Sequence, residues 1–127
     1  MSHPDPLHNP ENVLVEDVAE PADINEARIT GHVVTEPKMK LTNTGHQIAT
    51  LIVQTLRSFN ASGRRKESVE HHLVVAWDGV VERVRQLKPG NRISVFGRLQ
   101  THSWNDKVTG VKQRKTEIVA ENVILHH

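Results

Sequence analysis

His71–Leu99, HHLVVAWDGVVERVRQLKPGNRISVFGRL, decides the fold. It opens inside Val69–Trp77, an apolar and β-branched run that reads as a strand. Gly79–Leu87 then sets apolar residues at helical spacing, Lys88-Pro89-Gly90 is a turn, and Ile93–Leu99 alternates again. A short helix between two strands, in a chain patterned elsewhere for strands, predicts an all-β fold with one helical insertion.

Working outward, the first strand spans Ala27–Leu41, with Gly31 a bend or bulge and Glu36-Pro37 an interruption, because proline has no N–H to give a ladder. Asn43-Thr44-Gly45 makes a hairpin turn into a second strand, Ile48–Arg57. Its Ala49, Leu51 and Val53 suit a core, while Ile48, Thr50, Ile52 and Gln54 share the other face. Strand three is Val69–Trp77, strand four Ile93–Leu99 and strand five Lys112–Leu125. One helix between strands three and four of five is the order of an oligonucleotide-binding (OB-fold) barrel. Ser58–Ser68 reads as a flexible polar loop carrying Arg64, Arg65 and Lys66, and Asn105–Val111, with Lys107, as a second loop.

The 127 residues suffice for one domain. A hydrophobic fraction of 36% and a mean hydropathy of -0.48 fit a globular protein, and no apolar run nears the roughly 20 residues that span a bilayer. The chain has no cysteine, hence no disulfide and no thiolate chemistry, which suits the cytoplasm. Charge is segregated. Residues 1–23 hold six acids, no lysine or arginine, and Pro4, Pro6, Pro10 and Pro21, and read as a disordered acidic arm that is neither a secretory signal nor a transit peptide. Residues 24–127, the barrel domain, hold all 16 basic residues against nine acids, a net charge of +7 that suits a polyanion. A solvated basic surface without a ligand is the alternative.

Holding a single strand without reading it takes π-faces for bases and cations for phosphates. Phe59 lies at the root of the basic loop beside Arg57, Trp77 ends strand three, and Trp104 lies just past strand four. Trp104 is the best stacking candidate; the alternative for both tryptophans, weightier for Trp77, is an ordinary core or rim residue. Phe96 alternates with Ser94 and Arg98, facing either a ligand or another subunit. His71 and His72 are adjacent on a strand, so they point to opposite faces and do not chelate one ion together. His71 is a further stacking candidate. No metal-binding spacing, P-loop or nucleophile motif occurs, and Glu70, Asp78 and Glu82 are scattered, so no cofactor and no catalysis are expected.

From about Asn25 to Leu125 the chain resembles bacterial single-stranded DNA-binding proteins. The resemblance runs through Gly31-His-Val-Val-Thr-Glu-Pro-Lys, Gly45-x-x-Ile-Ala-Thr-Leu, Val69–Trp77, Leu87-Lys-Pro-Gly-Asn-Arg-Ile-Ser-Val-Phe-Gly-Arg-Leu, Ser103-Trp-Asn-Asp and Lys115-Thr-Glu-Ile-Val-Ala. It implies a homotetramer that wraps single-stranded DNA in replication, recombination and repair and presents it to partner proteins. It also implies stacking by Phe59, Trp77 and Trp104, with His71 where many members have tryptophan. Family basic positions on strand four are Gln100, His102 and Ser103 here. Phosphate contacts therefore fall to Arg57, Arg64, Arg65, Lys66, Arg98, Lys107, Lys112, Arg114 and Lys115. Members usually end in a flexible tail with an acidic tip that recruits partners, whereas this sequence stops at His127, so recruitment by that route is expected to be missing. A primosome-type accessory barrel or a protein-interaction barrel are the competing readings.

The charge segregation suggests that the acidic arm is either a docking segment for partners or a DNA mimic that competes for the +7 barrel. Deleting residues 1–23 should tighten oligonucleotide binding at low salt, measured by titration, and unchanged affinity counts against the competition.

Overall fold

In the computed structural model, which describes residues 15–127, six strands form one closed sheet. They are β1 (Ala27–Val33), β2 (Lys38–Leu41), β3 (Gln47–Ala61), β4 (Arg64–Trp77), β5 (Arg92–Asn105) and β6 (Lys112–His126). Their order is β1-β5-β6-β4-β3-β2, and β1 also pairs with β3 through His32↔Gln54 and Val33↔Val53, which closes the barrel. β1 and β2 are the two halves of the expected first strand, broken before Pro37 as proline demands, so this is the five-stranded barrel expected. One turn of 3-10 helix (Asp78–Val80) and one turn of α-helix, α1 (Val81–Val84), lie between β4 and β5. The helix is shorter than the Gly79–Leu87 pattern suggests. Even so, Val81, Val84 and Leu87 are all buried in the barrel core, as that pattern implies.

The core is filled by aliphatic residues, mostly β-branched valine and isoleucine with small alanines between them. Ala49, Leu51 and Val53 from β3 meet Val74 and Ala76 from β4, Ile93 and Val95 from β5, and Ile118, Ala120 and Val123 from β6. The last set breaks strict alternation, since Ala120 and Val123 are three apart. A bulge explains it: Phe96 pairs with Asn122 but Gly97 with Ala120, so Glu121 is an extra residue on β6 and reverses its inward parity. Two glycines let backbones cross at the bends. A Cβ on Gly31 would lie 2.1 Å from the Gln54 carbonyl oxygen, and one on Gly97 would lie 1.9 Å from that of Val119. Gly90, at φ 91°, completes the Lys88–Asn91 turn and donates its N–H to the Val33 carbonyl at 2.8 Å.

Two strand pairs continue well past the barrel. β3 and β4 stay in register to Ala61↔Arg64, joined by only Ser62 and Gly63, both at positive φ as the two-residue hairpin turn requires. The expected flexible loop at Ser58–Ser68 is therefore a hairpin, and Arg64, Arg65 and Lys66 sit on a strand. Polarity marked the segment as a loop, but cross-strand pairing outweighs composition there. β5 likewise runs to Asn105, so Trp104 lies inside the strand and not beyond it. The Asn105–Val111 loop appears as expected, tightened by the Asp106 side chain accepting the N–H groups of Val108 at 2.8 Å and Thr109 at 3.0 Å. Residues 1–14, most of the acidic arm, lie outside the described residues; residues 15–23 are exposed and without regular secondary structure.

Gly97→Ala should lower stability by about 1–3 kcal/mol, since its methyl overlaps a backbone oxygen that cannot swing away. Urea unfolding measures this, and a variant as stable as wild type rules out the close approach.

Candidate nucleic-acid interface

Directly paired antiparallel residues share a face, so the register sorts every candidate. On the face away from the core, β3 and β4 carry Ile48↔Trp77, Thr50↔Val75, Ile52↔Leu73, Gln54↔His71, Leu56↔Val69 and Asn60↔Arg65. β5 and β6 carry Arg98↔Val119, Gln100↔Glu117, His102↔Lys115 and Trp104↔Gln113 on the same outer face. The parallel pairs Val74↔Ile118, Val75↔Val119 and Ala76↔Ala120 join the two hairpins into one surface. His71, Trp77 and Trp104 therefore share an outer face with Arg65, Arg98 and Lys115. His71 and Trp77 are six residues apart, about 20 Å along the strand.

Phe59 does not join them. With Arg57, Arg64 and Lys66 it lies on the core-side face of the β3–β4 hairpin, opposite Lys66. The Arg57 guanidinium carbon sits 4.8 Å from its ring centroid, a cation over a π-face. Lys112 and Arg114 lie on the corresponding face of the β5–β6 hairpin, opposite Asn105 and Ser103, and Lys107 is in the turn at its tip. The cations thus flank two projecting hairpins on both sides. Among the described residues the ion pairs are His46–Asp78, Arg85–Glu82, Lys88–Glu36 and His102–Glu117, so none of these nine cations is neutralised by a carboxylate.

Trp77 is held at the corner where β4 turns into the helix. The His46 ring meets it edge-on, with centroids 6.4 Å apart, and His46 Nδ1 lies 2.9 Å from Asp78 Oδ2. Asp78, at the strained φ of 44°, also accepts the Gln47 N–H at 3.1 Å. That N–H, and then His46, hold the Asp78 carboxyl below its ordinary value. The N–H groups of Thr109 and then Val108 do the same for Asp106. Trp77 is 38% and Trp104 48% exposed, so neither is a core residue and both rings are open to a ligand.

His71 is exposed and bonds Gln54 Oε1 at 3.2 Å, while His72 points inward and bonds Thr55 Oγ1 at 2.8 Å, so the two diverge as adjacent strand residues must. Phe96 is half-buried on the outer face of β5, with the Arg28 guanidinium carbon 5.8 Å from its ring centroid. Two features escaped the sequence reading. One is the apolar pair Leu56↔Val69, both exposed outward on the hairpin. The other is Glu117, only 7% exposed on the outer face, its Oε1 2.6 Å from His102 Nε2. Alternation could have found the first; the β6 bulge hides the face of the second. Among the described residues, no group of three or more His, Asp or Glu is placed to share a metal ion. No described helix is long and apolar enough to cross a membrane.

Residues 24–126 match the sequence model of the Single-strand binding protein family. Curated relatives include Single-stranded DNA-binding protein 1 of Chlorobaculum tepidum, 34% identical over 102 residues, a match covering 79% of this chain and 63% of that protein. Another is the Single-stranded DNA-binding protein of Rickettsia conorii, 33% identical over 103 residues, covering 78% of this chain and 67% of that protein. The chain thus spans about two thirds or less of these relatives' length. Among solved structures, the Plasmodium falciparum SSB complex with ssDNA has the same fold, with a TM-score of 0.75 at 24% identity over 86% of this chain and 100% of the other.

Because both carboxyls are lowered in the fold, Asp78 and Asp106 stabilise it above about pH 4, and that contribution is lost as pH falls through their lowered values. Asp78→Asn should therefore be less stable than wild type at pH 7, with the gap narrowing progressively as pH falls below about 4. Urea midpoints across that range test this, and a gap that does not shrink in acid rules it out.

Proposed function

The chain belongs to the single-strand binding protein family, and we propose that it binds and protects single-stranded DNA without reading its sequence. The observation that carries the reading is the shared outer face of His71, Trp77 and Trp104 with Arg65, Arg98 and Lys115, which have no carboxylate partner among the described residues. Bases stack on the rings, each worth about 1–3 kcal/mol, and phosphates lie along the cations. Phe59, with Arg57, Arg64 and Lys66, extends the track around the β3–β4 hairpin, and Lys112 and Arg114 do so on the β5–β6 hairpin, with Lys107 at its tip. The role is binding, with no catalytic step and no cofactor.

We extend the reading to a homotetramer acting in replication, recombination and repair in the cytoplasm, alongside protein partners. What supports assembly is the outer face of β1, β5 and β6, where half-buried Phe96 and Ile124, 43% exposed, place apolar side chains among Arg28, Ser94 and Asn122. The acidic arm, residues 1–23, fits a disordered competitor for the barrel domain at 24–127.

Oligo(dT) should quench Trp77 and Trp104 fluorescence saturably, and Trp104→Ala should weaken binding by about 1–3 kcal/mol. If each subunit neutralises about four phosphates, the logarithm of affinity falls with the logarithm of salt at a slope near -3. No quenching, or a slope near zero, overturns the reading.

A further inference from the structure

The parallel contact between β4 and β6 is short. Beyond Val74 and Ile118, toward the hairpin tips, the two strands have no further pairing, and a cavity of about 230 Å³ opens between them. Both faces of the sheet line it: His71, Leu73 and Glu117 from the outer side, and His72, Leu99, Thr116 and Ile118 from the inner side. It is therefore a slot in the nucleic-acid surface, bordered by the stacking candidate His71. Its size exceeds the roughly 150 Å³ that holds a benzene ring in an apolar cavity.

Its chemistry is not that of a phosphate site. Leu73, Leu99 and Ile118 give apolar contact for a flat ring, and beside His71, His72 and Thr116 the one acidic group is Glu117, which is more than nine-tenths buried. His102 Nε2 occupies one of its oxygens at 2.6 Å. A carboxylate has about four acceptor positions and no donor, so it has capacity for another N–H. It would repel a phosphate or a carbonyl-bearing edge, and it accepts from an exocyclic amino group.

We propose that this slot is a base-reading subsite, in which a single cytosine leaves the stack and donates its N4 amino group to Glu117. Thymine presents its O4 acceptor at the same position and is disfavoured. Cytosine is favoured over adenine because the slot suits one ring and not a fused pair. The protein then tolerates all sequences while preferring cytosine at one position per subunit. This rests on the single-strand reading above.

The test is a competition titration at neutral pH between oligo(dC) and oligo(dT) of equal length. Wild type should prefer oligo(dC) about fivefold, the lower end of what a base-edge contact gives. Glu117→Gln, which can both donate and accept, should bring the ratio near one while oligo(dT) binding persists. Leu99→Phe, which fills the slot and leaves the carboxylate, should remove the same preference and guards against misfolding of the first variant. Binding of both oligonucleotides with equal affinity by wild type, or a preference that survives both substitutions, overturns the subsite and leaves single-strand binding standing. Failure of wild type to bind either one overturns the single-strand reading, and the subsite with it.

Discussion

The three parallel rungs between β4 and β6, Val74↔Ile118 to Ala76↔Ala120, are the contact on which the remaining architecture depends. They join two antiparallel hairpins that otherwise share no backbone ladder, and so make possible the closure that the β1–β3 pairing completes. The side chains that face the core from these rungs are well buried: Val74 and Ala76 fully and Ile118 and Ala120 nearly so. Because the contact is brief, the hairpins are held at one end and free at the other. A longer parallel ladder would flatten the surface and close the slot; a shorter one would open the core.

Closure also forces the backbones together at Gly31 and Gly97, where no Cβ fits. The Glu121 bulge beside the second crossing lets β6 keep Val123 inward on one side and Ala120 and Ile118 inward on the other. The same bulge turns Glu117 and Lys115 outward, so a device that serves packing also arranges charge on the outer face. Packing and surface charge are coupled through a single residue.

The polar side chains are distributed to match. Cations line the projecting hairpins, exposed to water and counterions. Glu117, the one buried carboxylate among the described residues, sits at the root of the slot with His102 as its partner. Trp77 is braced from the barrel end by His46 and Asp78, whereas Trp104 stands on the β5–β6 hairpin beyond the barrel. One aromatic platform is anchored and the other rides on an extension of the sheet.

Much of this was legible from local pattern. Alternation at Ala49, Leu51 and Val53, the apolar spacing at Val81, Val84 and Leu87, and the Lys88-Pro89-Gly90 turn determine an all-β barrel with one helical insertion, because side-chain period and turn chemistry are properties of neighbouring residues. The opposite directions of His71 and His72 follow from strand geometry alone. Tertiary structure decided what local pattern cannot contain. Arg64, Arg65 and Lys66 became strand residues because Ala61, Asn60 and Phe59 pair with them. Phe59 fell on the face opposite His71 because register, not proximity in sequence, assigns faces. The slot exists only because β4 and β6, far apart in the chain, touch at three rungs and then diverge, and such long-range contact leaves no periodic trace in either strand.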